Sequence, residues 1–232
     1  MNPTLFGFQL ETMKRIILTA IAMTCALMAY AQPQIGDWAK FNRYHEANKE
    51  VTETPRVVFM GDSITDFWVN ADPEFFTSNN FLGRGISGQT TSHMLVRFRR
   101  DVIDHHPKYV VILAGTNDIA KNLGDISPED SLGNIISMCE IARANKIKPI
   151  ICSVLPCNFF YWRPEVKGQE KEIIEFNALL KEYAESEKIP YVDYHSAMKD
   201  EKDGLPKKYA DDGCHPNKAG YEAMKNIIME YL

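Results

Sequence analysis

Short runs of apolar residues alternate along the chain with longer segments in which apolar residues recur every three or four positions. The short runs are 56–60, 80–82, 109–114, 149–155 and 191–193. The first, third and fourth are nearly continuous in apolar residues, which is typical of strands that are buried on both faces. These five runs therefore predict the strands of a parallel sheet.

The segments between the runs have the spacing of amphipathic helices. In 91–105, for example, Met94, Phe98 and Val102 fall on one stripe, and similar stripes occur in 128–145, 170–187 and 217–232. A further helix is predicted over 37–48. Alternating strands and helices of this kind predict an α/β fold with right-handed crossovers and helices on both faces of the sheet. Ligands of such sheets bind at the carboxyl edge of the strands.

Residues 1–31 have a different pattern. Met13-Lys14-Arg15 precedes an apolar run over 16–28, which ends at Ala29-Tyr30-Ala31. This order indicates a secretory signal peptide that is cleaved after Ala31, and therefore a secreted or periplasmic protein. The apolar run is shorter than the ~20 residues that span a bilayer. A buried amphipathic helix is the alternative interpretation, and a mis-assigned upstream start is an open explanation for 1–12.

Composition narrows the class of the remaining part, 32–232, which is the right size for one α/β domain. A net charge of −5 and a pI near 5.7 argue against a nucleic-acid partner. Cysteine and histidine spacings predict no metal site, and we expect no cofactor. Four cysteines follow the signal peptide, which permits disulfides without requiring them; they are Cys139, Cys152, Cys157 and Cys214. The oligomeric state stays open.

Three polar turns that contain glycine follow the first three predicted strands, at 61–65, 85–90 and 115–118, and a fourth, at 212–217, comes after the fifth strand in the approach to the last helix. We expect all four at the carboxyl edge of the sheet. Each turn alone is explained by turn and helix-cap preferences. Together they contain the groups that acyl transfer needs. Ser63 is a candidate nucleophile and His215 a candidate base, while Asp212 can hold the other ring nitrogen of that histidine.

The same turns contain candidate donors for an oxyanion. They are the backbone N–H groups of Ser63 and Gly88 and the side-chain amide of Asn117. Gly85 is an alternative to Gly88 in the second turn. Asp62 and Asp118 are interpreted as structural residues that bond to loop N–H groups.

These residues also resemble a known family. Gly61-Asp62-Ser63-Ile64, Gly88, Gly115-x-Asn117-Asp118 and Asp212-x-x-His215 are similar, in this order, to the four blocks of the SGNH (GDSL) hydrolases. The resemblance spans 57–217. It implies a flavodoxin-like three-layer α/β/α sandwich with a five-stranded sheet, and a metal-free Ser-His-Asp mechanism on esters. It also favours Gly88 over Gly85, although Gln89 stands where an Asp is usual.

The substrate is predicted less sharply. Trp68, Tyr161 and Trp162 are candidate substrate contacts, and core packing is the alternative for each. Phe67 has the same two interpretations, and core packing is favoured for Phe67 and Trp68. Two segments, 65–80 and 158–169, are candidates for a lid or an acyl pocket, but neither has a long apolar stretch. We therefore expect a short-chain ester, above all an acetyl ester on a carbohydrate. A lysophospholipase or thioesterase is the alternative within the family, and a catalytically silent carbohydrate-binding module is the alternative outside it.

Overall fold

Five parallel strands form one sheet in the computed structural model, which describes residues 13–19 and 36–232. The strands are β1 (Val57–Gly61), β2 (Phe81–Gly85), β3 (Tyr109–Leu113), β4 (Lys148–Cys152) and β5 (Tyr191–Val192). Their order is β2-β1-β3-β4-β5. From β1 the chain adds β2 on one side of the sheet and then β3, β4 and β5 on the other. The carboxyl ends of β1 and β3 therefore lie at the change in strand order, where such sheets bind ligands.

Helices connect the strands and cover both faces. They are α1 (His45–Lys49), α2 (Ser63–Ala71), α3 (Pro73–Ser78), α4 (Thr91–Asp101), α5 (Thr116–Ile119), α6 (Pro128–Ala144), α7 (Gln169–Ser186), α8 (Tyr194–Met198) and α9 (Lys218–Ile228), with 3-10 turns at Phe41–Tyr44, Ile103–His105 and Met229–Tyr231. The helices predicted over 91–105, 128–145, 170–187 and 217–232 are confirmed. The helix predicted over 37–48 starts later and is only a 3-10 turn followed by the short α1.

Alternation along the strands divides the core into two layers. On β1, Val58 and Met60 face the layer that α4, α6 and α7 cover, where Phe98 and Phe176 are buried. The neighbouring strand residues face the layer that α2, α3, α8 and α9 cover. Because successive strand side chains point to opposite faces, one nearly continuous apolar run supplies both layers. The three-layer α/β/α sandwich is confirmed.

Side-chain caps start two helices beside the strand ends. The carboxylate of Asp62, directly after β1, accepts the backbone N–H of Ile64 over 2.9 Å and begins α2 at Ser63. Asn217 caps α9 in the same way by accepting from Ala219 and Gly220. Such caps satisfy N–H groups that have no partner within the helix.

One segment differs from its prediction. Residues 65–80, a candidate lid, fold mainly into α2 and α3, and Phe75 and Phe76 of α3 are buried against β1 and β2. Phe75 and Phe76 therefore belong to the core and not to a lid. Residues 158–168 contain neither helix nor strand and lie between β4 and α7.

The chain divides into two units, Met1–Trp38 and Ala39–Leu232, and the second contains the sheet and all the labelled helices. In the first unit, residues 13–19 are helical and their side chains are exposed. The rest of the predicted signal peptide, with its cleavage site after Ala31, lies outside the described residues. Within the ranges described, no helix is both long and apolar enough to cross a bilayer.

Candidate active site

Ser63, His215 and Asp212 form a continuous chain of polar contacts at the carboxyl edge of the sheet. The hydroxyl of Ser63 lies 2.9 Å from Nε2 of His215, and Nδ1 of the same ring lies 2.7 Å from Oδ2 of Asp212. With the ring proton on Nδ1, facing the carboxylate, Nε2 is free to accept from the serine hydroxyl. The structure thus brings together all three residues that the sequence nominates for nucleophile, base and orienting acid.

The carboxylate of Asp212 is well supplied with donors. Its Oδ1 accepts the backbone N–H groups of Cys214 and His215 over 2.9 and 2.7 Å. Partial burial raises the pKa of Asp212, but these two N–H groups and the imidazole outweigh that effect, and the pKa lies below its usual value. Asp212 is therefore ionised at neutral pH and can stabilise a positive charge on His215.

Ser63 is the first residue of α2, directly after the cap residue Asp62, and only 8% of its surface is exposed. This position presents the hydroxyl at the end of β1. Asp62 is itself fully buried, and burial raises its pKa to about 6 in spite of the N–H group of Ile64 that it accepts. Its carboxylate contacts the loop and the amide of Asn117, in keeping with a structural role.

Gly88 lies in the cleft with φ of +80°, a conformation that favours glycine, and a Cβ atom there would project into open space. Gly85, the alternative oxyanion donor, is different: a Cβ atom there would lie 2.2 Å from the backbone nitrogen of Asp66. Gly85 therefore allows α2 to pack closely on β2, while Gly88 lines the cleft beside Ser63. Within the described part of the chain, the backbone N–H groups of Ser63 and Gly88 have no acceptor.

Asn117 lies on α5, directly after β3, and its amide reaches the same cleft. Its Nδ2 donates to Oδ2 of Asp62 over 3.2 Å and to the carbonyl of Gln89 over 3.0 Å. Its Oδ1 accepts from Nδ2 of Asn122 over 2.7 Å. These contacts fix the amide with its nitrogen end toward the residues that follow β1 and β2.

Asp118 follows Asn117, but its carboxylate contacts other helices and not the cleft. Its carboxylate accepts the backbone N–H and the hydroxyl of Thr91 and the hydroxyl of Ser131. It thereby ties α5 to the start of α4 and to α6. Burial raises the pKa of Asp118, and the hydrogen bonds from Thr91 and Ser131, which lower it, do not outweigh that effect.

Aromatic rings surround His215. The ring centroids of Phe67, Trp162 and Tyr161 lie 5.2, 5.8 and 6.1 Å from that of the imidazole. The prediction that Tyr161 and Trp162 lie near a substrate fits this placement. Trp68 does not lie there: it is 1% exposed and packs in the core between Phe75 and Tyr221, because adjacent helical residues lie about 100° apart and α2 turns Trp68, not Phe67, toward the core.

The cleft is open and has a volume of about 190 Å³. Its lining combines the nucleophile and base with small polar groups and aromatic rings; the residues are Ser63, Phe67, Ser87, Gly88, Asn117, Asn122, Tyr161, Trp162 and His215. Typical pockets for drug-sized ligands are larger, ~300–1,000 Å³. The cleft therefore suits a small group at the reacting atom, with the rest of a substrate outside it.

Sequence reasoning missed Phe67, Ser87 and Asn122 as members of the cleft. Ser87 lies within the second predicted turn, and its N–H and hydroxyl both donate to Asp66. For Phe67 the sequence leaves both interpretations open and favours core packing, which the exposed ring contradicts. Asn122 gave no signal, because an asparagine in a turn after a short helix is common for purely structural reasons.

The thiols of Cys139, Cys152, Cys157 and Cys214 are free and buried. Cys214 lies between Asp212 and His215, and its thiol is next to that of Cys157 and lowers the pKa of Cys157. The thiol of Cys157, which follows β4, donates to the carbonyl of Phe159. The turn that contains His215 is thus packed directly against the segment that leads to Tyr161 and Trp162.

The chain matches known proteins over the same region. The family model of the GDSL-like lipase/acylhydrolase family matches residues 59–223. The fold is similar to that of a proposed acylhydrolase from Bacteroides fragilis NCTC 9343, with 48% sequence identity, a TM-score of 0.83 and coverage of 84% of this chain and 97% of that one. The matched region contains Ser63, Gly88, Asn117, Asp212 and His215.

Curated relatives are more distant. An acetylxylan esterase of Geobacillus stearothermophilus is 25% identical over 76% of this chain and 93% of its own length. The platelet-activating factor acetylhydrolase IB subunit alpha1 of Rattus norvegicus is 29% identical over 52% of each chain. The chain spans about half, or less, of the length of the first curated relatives it matches.

Proposed function

Because the chain belongs to the GDSL-like lipase/acylhydrolase family, we propose that it is a serine ester hydrolase with Ser63 as its nucleophile. The observation that carries this proposal is the unbroken contact from Asp212 through His215 to the hydroxyl of Ser63. A serine hydroxyl is a weak nucleophile until an adjacent base accepts its proton. His215 is that base, and Asp212 stabilises the imidazolium that forms.

Attack of Ser63 on the ester carbonyl creates an oxyanion, for which three donors are at hand. Two are the backbone N–H groups of Ser63 and Gly88. The third is the amide of Asn117, whose nitrogen now donates to Asp62 and to the carbonyl of Gln89. A charged oxygen accepts more strongly than a neutral carbonyl, and we expect it to draw one N–H of Asn117 away from Gln89.

The reaction is completed in two steps. His215 returns the proton to the leaving alcohol, which departs and leaves an acyl group on Ser63. Water then enters and attacks the acyl carbon while His215 accepts its proton, and the same oxyanion donors stabilise the second tetrahedral intermediate. His215 returns that proton to the oxygen of Ser63 as the acid departs.

The proposed substrate is a short-chain ester, above all an acetyl ester carried on a carbohydrate. The small open cleft supports a short acyl group, and the rings of Phe67, Tyr161 and Trp162 around His215 provide flat apolar faces of the kind that sugar rings pack on. Two of the relatives are named as an acetylxylan esterase and an acetylhydrolase. Both names describe enzymes that hydrolyse acetyl esters.

We propose that the protein is exported from the cytoplasm, because residues 13–31 have the pattern of a secretory signal peptide. Expression of the full chain with a carboxyl-terminal tag would test this. An exported product that begins at Gln32 is expected, and an uncleaved product that stays in the cytoplasm would contradict it.

The central experiment compares wild type with Ser63→Ala on p-nitrophenyl acetate, together with labelling by a fluorophosphonate probe. Turnover should fall by about 10³-fold or more, because removal of one triad member leaves only binding and oxyanion stabilisation. Labelling should occur in wild type alone. A variant within a few-fold of wild type would contradict the assignment, and an unlabelled, inactive wild type would favour a binding module.

A chain-length series of p-nitrophenyl esters tests the substrate class. The rate should be highest for the acetyl ester and fall with longer acyl groups, since the cleft is small. A maximum at eight carbons or more would favour the lysophospholipase or thioesterase alternative.

A further inference from the structure

The side chain of Asn122 connects two walls of the cleft that come from different parts of the chain. Its Nδ2 donates to Oδ1 of Asn117 over 2.7 Å and reaches the carbonyl of Gly88 over 3.4 Å. Its Oδ1 accepts the indole N–H of Trp162 over 3.1 Å. Its backbone N–H also donates to the carbonyl of Asn117 over 3.0 Å. Both ends of the Asn122 amide are thus used by residues of the cleft.

The contact with Asn117 bears on which way the Asn117 amide faces. The oxygen and nitrogen ends of a primary amide have nearly the same shape, but one end only accepts and the other only donates. Asn122 offers a donor to the oxygen end, which holds the nitrogen end toward Asp62 and Gln89. Of the side chains that the structure describes, Asn122 is the one that hydrogen-bonds this oxygen.

The contact with Trp162 fixes the aromatic wall. Trp162 follows β4 in a segment without helix or strand, and its ring lies 5.8 Å from that of His215. An indole N–H has one donor and no acceptor, and a single well-placed oxygen therefore determines where that edge of the ring lies. Asn122 provides that oxygen.

We propose that Asn122 is a positioning residue, which holds the amide of Asn117 with its N–H groups toward the oxyanion and holds Trp162 beside His215. The proposal rests on the proposed function of Ser63 and His215. Asn122 acts through its two neighbours: loss of the first contact impairs the transition state, and loss of the second impairs binding.

The variant that separates these effects is Asn122→Asp. An ionised carboxylate keeps an acceptor for Trp162, but it has no donor for Asn117 and repels its Oδ1. The Asn117 amide should turn, which removes its N–H from the oxyanion. Loss of one such donor commonly lowers kcat on the order of 100-fold or more, with little change in KM. Trp162→Phe keeps a ring without the N–H, and it should raise KM several-fold with little change in kcat.

The pH dependence of the Asn122→Asp defect distinguishes positioning from general damage. A protonated carboxyl group has an O–H that can donate to Asn117. The ratio of wild-type kcat to variant kcat should therefore shrink several-fold between pH 8 and pH 5. Asn145→Asp is the matched control, because Asn145 is exposed after α6 at the opposite edge of the sheet and its side-chain amide donates to the carbonyl of Ile141, far from the cleft. Its kcat should equal that of wild type.

An Asn122→Asp enzyme with wild-type kcat would overturn the proposal, and so would a kcat defect of equal size at pH 5 and pH 8. Asn122→Ala, which removes both contacts without repulsion, should lose less kcat than Asn122→Asp and share the raised KM of Trp162→Phe. A larger kcat loss in the alanine variant would also overturn it. An inactive wild type would instead count against the proposed function, because the kcat and KM of each variant are compared with those of wild type.

Discussion

Asp212 holds His215 at two points, since one carboxylate oxygen accepts the backbone N–H of His215 and the other contacts Nδ1 of its ring. Both distances are 2.7 Å. The carboxylate therefore fixes the turn and the tautomer together. A substitution that keeps the shape of Asp212 should preserve the first role and destroy the second.

Asp212→Asn is expected to lower kcat by about 10³–10⁴-fold. An amide N–H next to Nδ1 favours the tautomer with its proton on Nε2, and a protonated Nε2 cannot accept the proton of the Ser63 hydroxyl. The amide oxygen can still accept the backbone N–H groups, and we expect the thermal unfolding midpoint to stay within a few degrees. Steady-state kinetics with a thermal melt of the same sample measures both. Loss of folding together with activity would contradict this division of roles.

The buried Asp62 should make stability depend on pH. Its pKa is about 6 in the fold, where burial raises it above ~3.9, the usual value for an unfolded chain. Between these values the folded protein binds more protons than the unfolded one, and the free energy of unfolding therefore falls as pH rises.

The expected contribution of Asp62 between pH 4 and pH 6 is on the order of 2 kcal/mol. Urea denaturation of wild type and Asp62→Asn across this range measures it, because the neutral amide does not titrate. The variant should show a flatter profile than wild type. Parallel profiles would mean that Asp62 stays ionised in the fold.

Gly88→Ala is expected to lower activity more than stability. Its φ of +80° disfavours a side chain by about 1 kcal/mol, and relief of that strain would shift the backbone N–H group that we propose as an oxyanion donor. The measurements are kcat and the free energy of unfolding.

Gly133→Ala serves as the control for Gly88→Ala. Gly133 lies within α6 with open space around its Cβ position, and alanine there should raise stability by up to about 1 kcal/mol with no change in kcat. Equal kinetic losses in the two variants would contradict a specific role for Gly88.

Two neighbouring aromatic residues on α2 should respond in opposite ways. Trp68→Ala removes a fully buried ring and is expected to cost about 3–5 kcal/mol of unfolding free energy. Phe67→Ala should change stability by less than about 1 kcal/mol, because the ring is 43% exposed, but it should raise KM. Denaturant titration and Michaelis kinetics separate the two. An unchanged KM for Phe67→Ala would exclude that ring from the substrate contacts.

The sheet could be predicted from the sequence because β1, β3 and β4 are buried on both faces and are therefore almost wholly apolar. α2 was harder, since its first residues form the polar turn around Ser63 and its buried residues are few. Which of Phe67 and Trp68 faces the core depends on the phase of that helix. Because the helix was not predicted, its phase could not be either.

The site residues could be nominated because their order along the chain matches a family pattern, and Ser63, Gly88 and Asn117 also come shortly after strands. Asn122 could not be found in this way. Its proposed role depends on its contacts with both Asn117 and Trp162, and only the folded chain brings Trp162, forty positions away, to the side chain of Asn122.

The hydroxyl of Ser63 meets the ring of His215 across 152 positions of sequence. The entropy needed to close so long a segment grows only slowly with its length, but it must be overcome before the contact contributes anything. Catalysis then becomes a reporter of the last folding event. In refolding from urea we expect helical circular dichroism to recover first. Esterase turnover should recover only when α9 has docked, so that the return of activity marks the completion of the fold.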